Sequence, residues 1–298
     1  MKKILLSAGC GVSVSALIEC FNKKEKNIKL YSSDIKDCSN DNLDGNIIFP
    51  YCLDNENLYI SHLDKILEKF DAFYPYADEE LEVISTNLEK FNNAHKIVIS
   101  DLETIKICSN KKKLQQKLTL NNILTPTFNN DFYGKKIIKP IYGRGGRNIL
   151  ITEDKGLVNF FTEMKSNQFL VTDYIEGTEY SADVLYSSDG KNILDLLIRK
   201  RPNKGIADYC KEVYVNSIYK SIEEISKILT FSGPINFQFI IDKSNFAFLI
   251  EINPRLSGGM VFSYFCGFNP FSEELKKLKN HKKTMREFKA FWKIKEII

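Results

Sequence analysis

At 298 residues, 43% of them hydrophobic, the chain exceeds a typical single domain of roughly 100 to 200 residues and can bury a substantial core. A 27% charged fraction of mixed sign, only eight prolines and the lack of any Gly/Ser or Gln/Asn tract exclude a disordered, collagen-like or low-complexity chain. The net charge of +4 is small, and it is concentrated at one end, where residues 271–298 carry nine Lys and Arg against four Glu.

The first ten residues, MKKILLSAGC, imitate a lipoprotein signal, but the apolar run Ile4 to Leu6 is far shorter than the roughly 7 to 15 residues an export signal needs. Seven scattered cysteines without C-x-x-C or metal-ligand spacing read as reduced thiols, and no run reaches the roughly 18 apolar residues of a membrane span. A cytoplasmic protein with no membrane partner is expected.

Lys3 to Ser7 reads as a strand that enters a tight Gly9–Gly11 loop and then a helix through Leu17, Ile18 and Phe21. The bare G-x-G lacks a third glycine, so it reads as a tight turn, a substrate-facing loop or, less specifically, a dinucleotide site. Strands at Ile28 to Ser32, Asn46 to Phe49 and Ala72 to Pro75 alternate with helices over His62 to Phe70 and from Asp78 through Leu88. That alternation predicts a doubly wound parallel sheet over residues 1–100.

From Asp101 the pattern changes. Lys106 to Asn122 reads as one lysine-rich helix, followed by a strand Lys135 to Lys139, a loop Pro140 to Arg147 with three glycines, and a strand Asn148 to Thr152. A helix over 154–165 and strands Phe169 to Tyr174, Tyr180 to Tyr186 and Ile193 to Arg199 follow, then a helix Ser217 to Leu229. Strands Ile235 to Ile241 and Phe246 to Ile252 form a hairpin about Asp242–Asn245. Hairpins mixed with helices predict an α+β fold, with one subdomain over 101–172 and another over 173–298. The final basic stretch reads as a helix with a solvated face and one docked apolar stripe, in preference to a nucleic-acid or membrane surface. The uncharged, aromatic-rich stretch Gly258 to Phe271 buries either within the chain or across a homodimer.

Chemistry concentrates in two places. Glu251 and Asn253 share one face of a strand, and a two-residue turn at Lys243–Ser244 would pair Gln238 with Leu249 and put Gln238 on that face too. Three oxygen donors with a single carboxylate, and neither His nor Cys, suit Mg²⁺, or Mn²⁺ in its place, carrying nucleotide phosphates. The bland reading is an exposed polar face on an ordinary hairpin. Lys139 ends a strand before the glycine loop, whose backbone amides can close over phosphates while the lysine supplies a point charge.

Taken in order, several signatures resemble the ATP-grasp superfamily, in particular the ATP-binding halves of the carbamoyl-phosphate synthase large subunit. They are Pro75 with Asp78-Glu79-Glu80-Leu81, Asn110-Lys111, Lys139-Pro140 with the Gly143 to Gly146 loop, Asp173 to Tyr180, and Gln238 with Glu251-Ile252-Asn253-Pro254-Arg255. The resemblance implies a pre-ATP-grasp domain followed by a two-subdomain ATP-grasp fold. It implies that Lys111 and Lys139 hold ATP phosphates beneath a lid of Gly143, Gly145 and Gly146. Asp173, with the backbone of Tyr174 and Ile175, would contact adenine, Glu179 the ribose, and Gln238, Glu251 and Asn253 the Mg²⁺. Arg255 would face the transferring phosphoryl group, and Arg199, with Lys200, Arg201 and Lys204, would attract an anionic substrate. Two positions depart from the usual pattern: Asn110 stands where the family has Asp, and Asp173 is shorter than the commoner Glu or Gln.

Members of the superfamily commonly phosphorylate a carboxylate, and an amine or thiol then attacks the acyl phosphate. An ATP-dependent carboxylate–amine ligase acting on small metabolites is therefore expected. The rivals are a small-molecule kinase of the same fold, a nucleotide-binding module without turnover, and nucleic-acid binding through the basic tail.

Overall fold

The computed structural model describes residues 1–37, 46–127, 134–143, 147–201, 209–273 and 287–289, with the backbone alone at 209–211 and 287–289. In the first of three sheets, β1 (Lys2–Leu6), β2 (Ile28–Asp34), β3 (Asn46–Ile48) and β4 (Ala72–Tyr74) pair in parallel in the order β3-β2-β1-β4. Parallel neighbours need crossover helices. These are α1 (Val12–Lys24) and α2 (Glu56–Leu67), followed after β4 by α3 (Asp78–Thr86). Helix α1 turns Val14, Leu17, Ile18 and Phe21 into the core at the three-to-four spacing of one helix face. Helix α2 begins at Glu56, ahead of the expected His62, because Asn55 caps it, accepting from the Leu58 amide at 3.0 Å.

The single lysine-rich helix expected over Lys106 to Asn122 is two helices, α4 (Leu102–Ser109) and α5 (Lys111–Leu120). The reason is Asn110, which adopts an extended backbone and accepts from the Lys112 and Lys113 amides at 3.1 and 2.9 Å, so it starts a new helix. Next come β5 (Lys136–Pro140), β6 (Leu150–Thr152), α6 (Lys155–Glu163) and β7 (Phe169–Asp173), with the strands in an antiparallel sheet of order β6-β5-β7. Ile138 and Val171 pack with Val158 of α6, which covers one face of this sheet.

The largest sheet is antiparallel and six-stranded. Its order is β12 (Ala247–Asn253), β11 (Gly233–Asp242), β8 (Gly177–Tyr186), β9 (Ile193–Lys200), β10 (Tyr209–Val213), β13 (Glu287–Lys289). On one face Ala182, Val184, Ile198 and Phe237 share a core with α4, α5 and α7 (Asn216–Ile225). On the other, Leu185 and Leu197 join α1, β1 and α8 (Met260–Phe265), which closes the sheet against the first one.

Several expectations are corrected. Strands β10 and β13 and helix α8 carry no clear periodicity in sequence, and Glu287–Lys289 pairs as a strand where a basic helix was expected; the rest of that tail lies outside the described residues. The aromatic stretch from Gly258 buries within the chain, with Phe21 edge-on to Phe271 at 5.0 Å and beside Tyr264 at 5.3 Å. Among the cysteines, Cys20, Cys52, Cys108 and Cys266 are in no disulfide, but Cys10 is disulfide-bonded, unlike the all-reduced expectation. No helix among the described residues is long and apolar enough to cross a membrane.

Candidate functional site

The β11–β12 hairpin sets the site. Its turn has three residues where two were expected: the Asp242 amide bonds the Phe246 carbonyl at 3.1 Å, and Asn245 takes a left-handed backbone with φ of 63°. Asn tolerates that conformation through its short polar side chain, and the turn is fastened by Asp242 Oδ1 accepting from the Ser244 and Phe246 amides at 2.9 and 2.8 Å. Phe239 therefore faces Leu249, and an irregularity after Gln238 brings Gln238 opposite Glu251. Strict alternation would have put Glu251 on the same face as Leu249, which is fully buried in the core. The extra residue turns Glu251 to the opposite face, as bulges beside functional sites do.

On that face of the six-stranded sheet the ladder aligns Glu251, Gln238, Ser181 and Arg199 in one row and Asn253, Asn236 and Asp183 in the next. The three expected metal-binding side chains thus converge, with Gln238 a direct cross-strand partner of Glu251. A cation already attends each of them. Arg201 donates to Gln238 Oε1 at 3.1 Å, the Lys111 ammonium lies 3.8 Å from Glu251 Oε1, and Arg255 donates to Asn253 Oδ1 at 3.3 Å.

Lys111 and Lys139 face this row from the other side. Lys111 opens α5 and donates to the Gly143 carbonyl at 2.6 Å, so it holds the start of the glycine loop. Lys139 is 6% exposed and has no hydrogen-bond partner among the described residues. Burial, together with the neighbouring Lys111 charge, pulls its ammonium down to about 8, against a smaller opposing pull from Glu251. A buried, unpaired lysine beside a second lysine is unfavourable in the protein alone and is relieved by a polyanion. Gly143 adopts φ of 138°, a conformation that L side chains rarely take, while Gly145 and Gly146 lie outside the described residues. Asn110, besides capping α5, donates to the Tyr142 hydroxyl at 2.8 Å, which ties α5 to the same loop.

Other expected residues are placed differently. The Asp173 carboxylate pairs with Lys136, a lysine 3% exposed that sequence reasoning missed. Alternation along β5 and β7 puts this pair on the α6 face with Ile138 and Val171, whereas Lys139 and Thr172 point the other way. The Asp173 side chain, expected at the adenine, thus lies on the sheet face opposite Lys139. The residue on Lys139's face is Thr172, whose buried hydroxyl has no hydrogen-bond partner. Tyr174 and Ile175 follow β7, exposed and half-buried respectively, and the Tyr174 amide bonds the Lys135 carbonyl at 3.0 Å. Glu179 sits on the same face as Ser181 and Gln238 and lies 3.4 Å from Arg201. Lys200 is exposed at the end of β9, and Lys204 lies outside the described residues.

Arg199 lies within β9. Only 4% exposed, it donates through Nε to Asp183 Oδ2 and to Ser263 Oγ, both at 2.9 Å, and its guanidinium lies where a Cβ on Gly259 would come within 2.5 Å. Asp183, fully buried, also accepts from Asn236 at 2.7 Å and Ser257 at 3.2 Å. Arg199, expected to attract an anionic substrate, is thereby part of the floor beneath the loop after β12, with its charge paired to Asp183. Its partner Asp183 gave a readable signal: a charged residue inside the otherwise apolar alternation of β8 is buried only when paired.

Residues 165–297 match the family described as ATP-grasp in the biosynthetic pathway with Ter operon. This is an ATP-grasp fold. Within that fold the chain is similar to the carbamoyl phosphate synthase large chain of Pyrococcus furiosus, at 29% identity over 142 residues, covering 43% of this chain and 13% of that one. It spans no more than 21% of the length of the three carbamoyl phosphate synthase large chains it matches. Among solved structures, the Staphylococcus aureus N5-carboxyaminoimidazole synthetase complexed with ADP superposes with a TM-score of 0.66 at 16% identity, covering 86% of this chain and 71% of that one. The L-amino acid ligase of Bacillus licheniformis gives 0.63 at 16% identity, over 88% and 69%. At such identities these two likenesses show the ATP-grasp fold alone.

Proposed function

We propose that the protein is an ATP-dependent ligase of the ATP-grasp type that activates a small-molecule carboxylate as an acyl phosphate for attack by an amine. In the first step a carboxylate oxygen attacks the γ-phosphorus and the bond to the bridging oxygen breaks, releasing ADP. In the second the amine nitrogen attacks the acyl carbon, inorganic phosphate leaves with the bonding pair, and the nitrogen loses a proton. The observation that carries this reading is Lys139, a buried ammonium pulled down to about 8, facing Lys111 and the Glu251 row. That arrangement supports a polyphosphate in the gap, where two lysines would stabilise charge developing in transfer.

The donor set fits Mg²⁺ or Mn²⁺. Gln238, Glu251 and Asn253 offer oxygen only, and among the described residues no group of three His, Cys, Asp or Glu could hold a metal by itself. An ion held here would complete its shell with phosphate and water, and it would supply charge neutralisation for the transferring group. Arg255, beside Asn253, would meet the γ-phosphate. Thr172 replaces Asp173 as the side chain offered to the base, Tyr174 and Ile175 supply backbone, and Glu179 takes the ribose hydroxyls. The N5-carboxyaminoimidazole synthetase and the L-amino acid ligase share this fold, and the ligase reading follows their names by analogy.

The test is Mg²⁺-dependent ADP release with pooled carboxylates and amines in the presence of hydroxylamine. ADP with hydroxamate is expected, and subdividing the pools identifies the acid. ADP without hydroxamate would replace this reading with the kinase.

A further inference from the structure

The Asp78-Glu79-Glu80-Leu81 motif has no part in the chemistry described so far, yet its first residue crosses from the first sheet to the phosphate site. Asp78 Oδ1 accepts from Arg255 Nε at 2.6 Å, a contact between residues 177 apart in sequence. The other nitrogens of Arg255 find only neutral acceptors: Nη1 donates to the Leu256 carbonyl at 3.0 Å and Nη2 to Asn253 Oδ1 at 3.3 Å. Tyr76, two residues before Asp78, lies under the guanidinium with its ring centroid 5.4 Å from the central carbon. Among the described residues Asp78 is thus the charged group that accepts from this arginine, and it arrives from the start of α3, just after the first sheet's β4.

Helix α3 does not need Asp78 for its own start. Its opening turn is closed by Glu80, which accepts from the Ala77 amide at 3.3 Å and from the Tyr59 hydroxyl at 2.9 Å. Ser7, at the end of β1, donates to Glu80 and accepts from the Tyr76 amide at 2.8 Å. Glu80 therefore anchors the β4–α3 corner, and Asp78 is left to face outward, its side chain 37% exposed against 9% for Arg255. The loop after β12 is also held closely: a Cβ on Gly258 would lie 3.1 Å from Ser13 Oγ and 3.6 Å from the Tyr76 hydroxyl.

We propose that Asp78 is a positioning residue that orients Arg255 toward the transferring phosphoryl group, coupling the first sheet to the phosphate site. This rests on the ligase reading of Arg255. Fixing Nε from one side restrains the plane of the guanidinium, so its remaining edge meets a phosphoryl group without first reorganising. Removing the carboxylate leaves the charge in place and its direction unset. The loss then falls on the transition state, with ground-state nucleotide binding spared.

The experiment compares wild type, Asp78→Asn and Asp78→Glu by calorimetric titration with Mg²⁺–ADP alone and with Mg²⁺–ADP plus fluoroaluminate, a mimic of the transferring phosphoryl group. Asp78→Asn should bind Mg²⁺–ADP as wild type does and lose about 10²-fold in the fluoroaluminate complex, the scale of a misplaced catalytic group, while Asp78→Glu recovers most of it. Where an acid substrate has been found, kcat should fall with KM for ATP unchanged. Equal fluoroaluminate affinities in wild type and Asp78→Asn would overturn the positioning role with the ligase reading intact. Wild type that fails to bind Mg²⁺–ADP would overturn both. An unchanged far-UV spectrum and melting temperature are expected for Asp78→Asn because Glu80 closes α3, and an Asp78→Asn variant that loses ADP affinity as well would overturn the proposal in favour of a purely structural role.

Discussion

Replacing Lys139 by methionine, which keeps the length of the side chain and removes the charge, should stabilise the protein while impairing its proposed activity. In the folded chain this ammonium titrates at about 8 against an ordinary 10.5, because burial and the Lys111 charge both disfavour the protonated form. At about 1.4 kcal/mol per pH unit, that interval corresponds to a cost on the order of 3 kcal/mol at pH 7, where both folded and unfolded chains carry the proton. The sign follows from the lowered value. Between about pH 8 and 10.5 the unfolded chain binds more protons than the folded one, so wild-type stability from this group rises with pH. At pH 9.5 the cost shrinks to less than half of that at pH 7, on the order of 1 kcal/mol. Urea denaturation of wild type and Lys139→Met at both pH values checks this: a clear gain is expected at pH 7 and roughly half of it or less at pH 9.5. ATP affinity in the wild type should decline as pH rises through about 8, and Lys139→Met should bind ATP weakly at every pH. No gain at pH 7, or an equal gain at both pH values, would refute the picture of a lysine held charged and unpaired for a polyanion.

Glu251→Gln should abolish Mg²⁺-dependent ADP release with the melting temperature nearly unchanged, since Glu251 lies on the polar face of the sheet outside the core; turnover at the wild-type level would remove it from the metal set. Asp183→Ala should cost about 3 to 5 kcal/mol in chemical denaturation by removing the carboxylate that neutralises the buried Arg199 charge, and a loss under about 1 kcal/mol would mean that the pair is not desolvated as described. Asp173→Asn should leave nucleotide affinity near wild type while lowering stability through Lys136, whereas a large loss of ATP affinity with stability intact would restore Asp173 to the base-binding face. Asn110→Ala should cost about 1 kcal/mol through the lost cap of α5, read as a lower denaturation midpoint.

Strand and helix order could be read from periodicity because it is local. The parallel strands of the first sheet, the β11–β12 hairpin and the oxygen donors Gln238, Glu251 and Asn253 all carry period-two or turn signals within a few residues. Lys139, placed at a strand end before a glycine-containing loop, was recognisable for the same reason. Helix α8 and strands β10 and β13 were not, because each is short and owes its form to what it packs or pairs with.

Tertiary structure decided what each charge is for. Asp173 and Lys139 lie in paired strands of one sheet and look equally available in sequence, but strand parity sends Asp173 to Lys136 and α6 and leaves Lys139 toward Glu251. Arg199 within β9 and Arg201 just after it part company because Asp183 and Ser263 enclose the first, while the second reaches Glu179 and Gln238. Glu251 itself reached the site only through a bulge and a three-residue turn, since one residue of register separates a core face from a functional one. Periodicity is a property of neighbours along the chain and can be read there. The partner that neutralises a buried charge, as Asp78 does for Arg255 across 177 residues, exists only once the sheets have met.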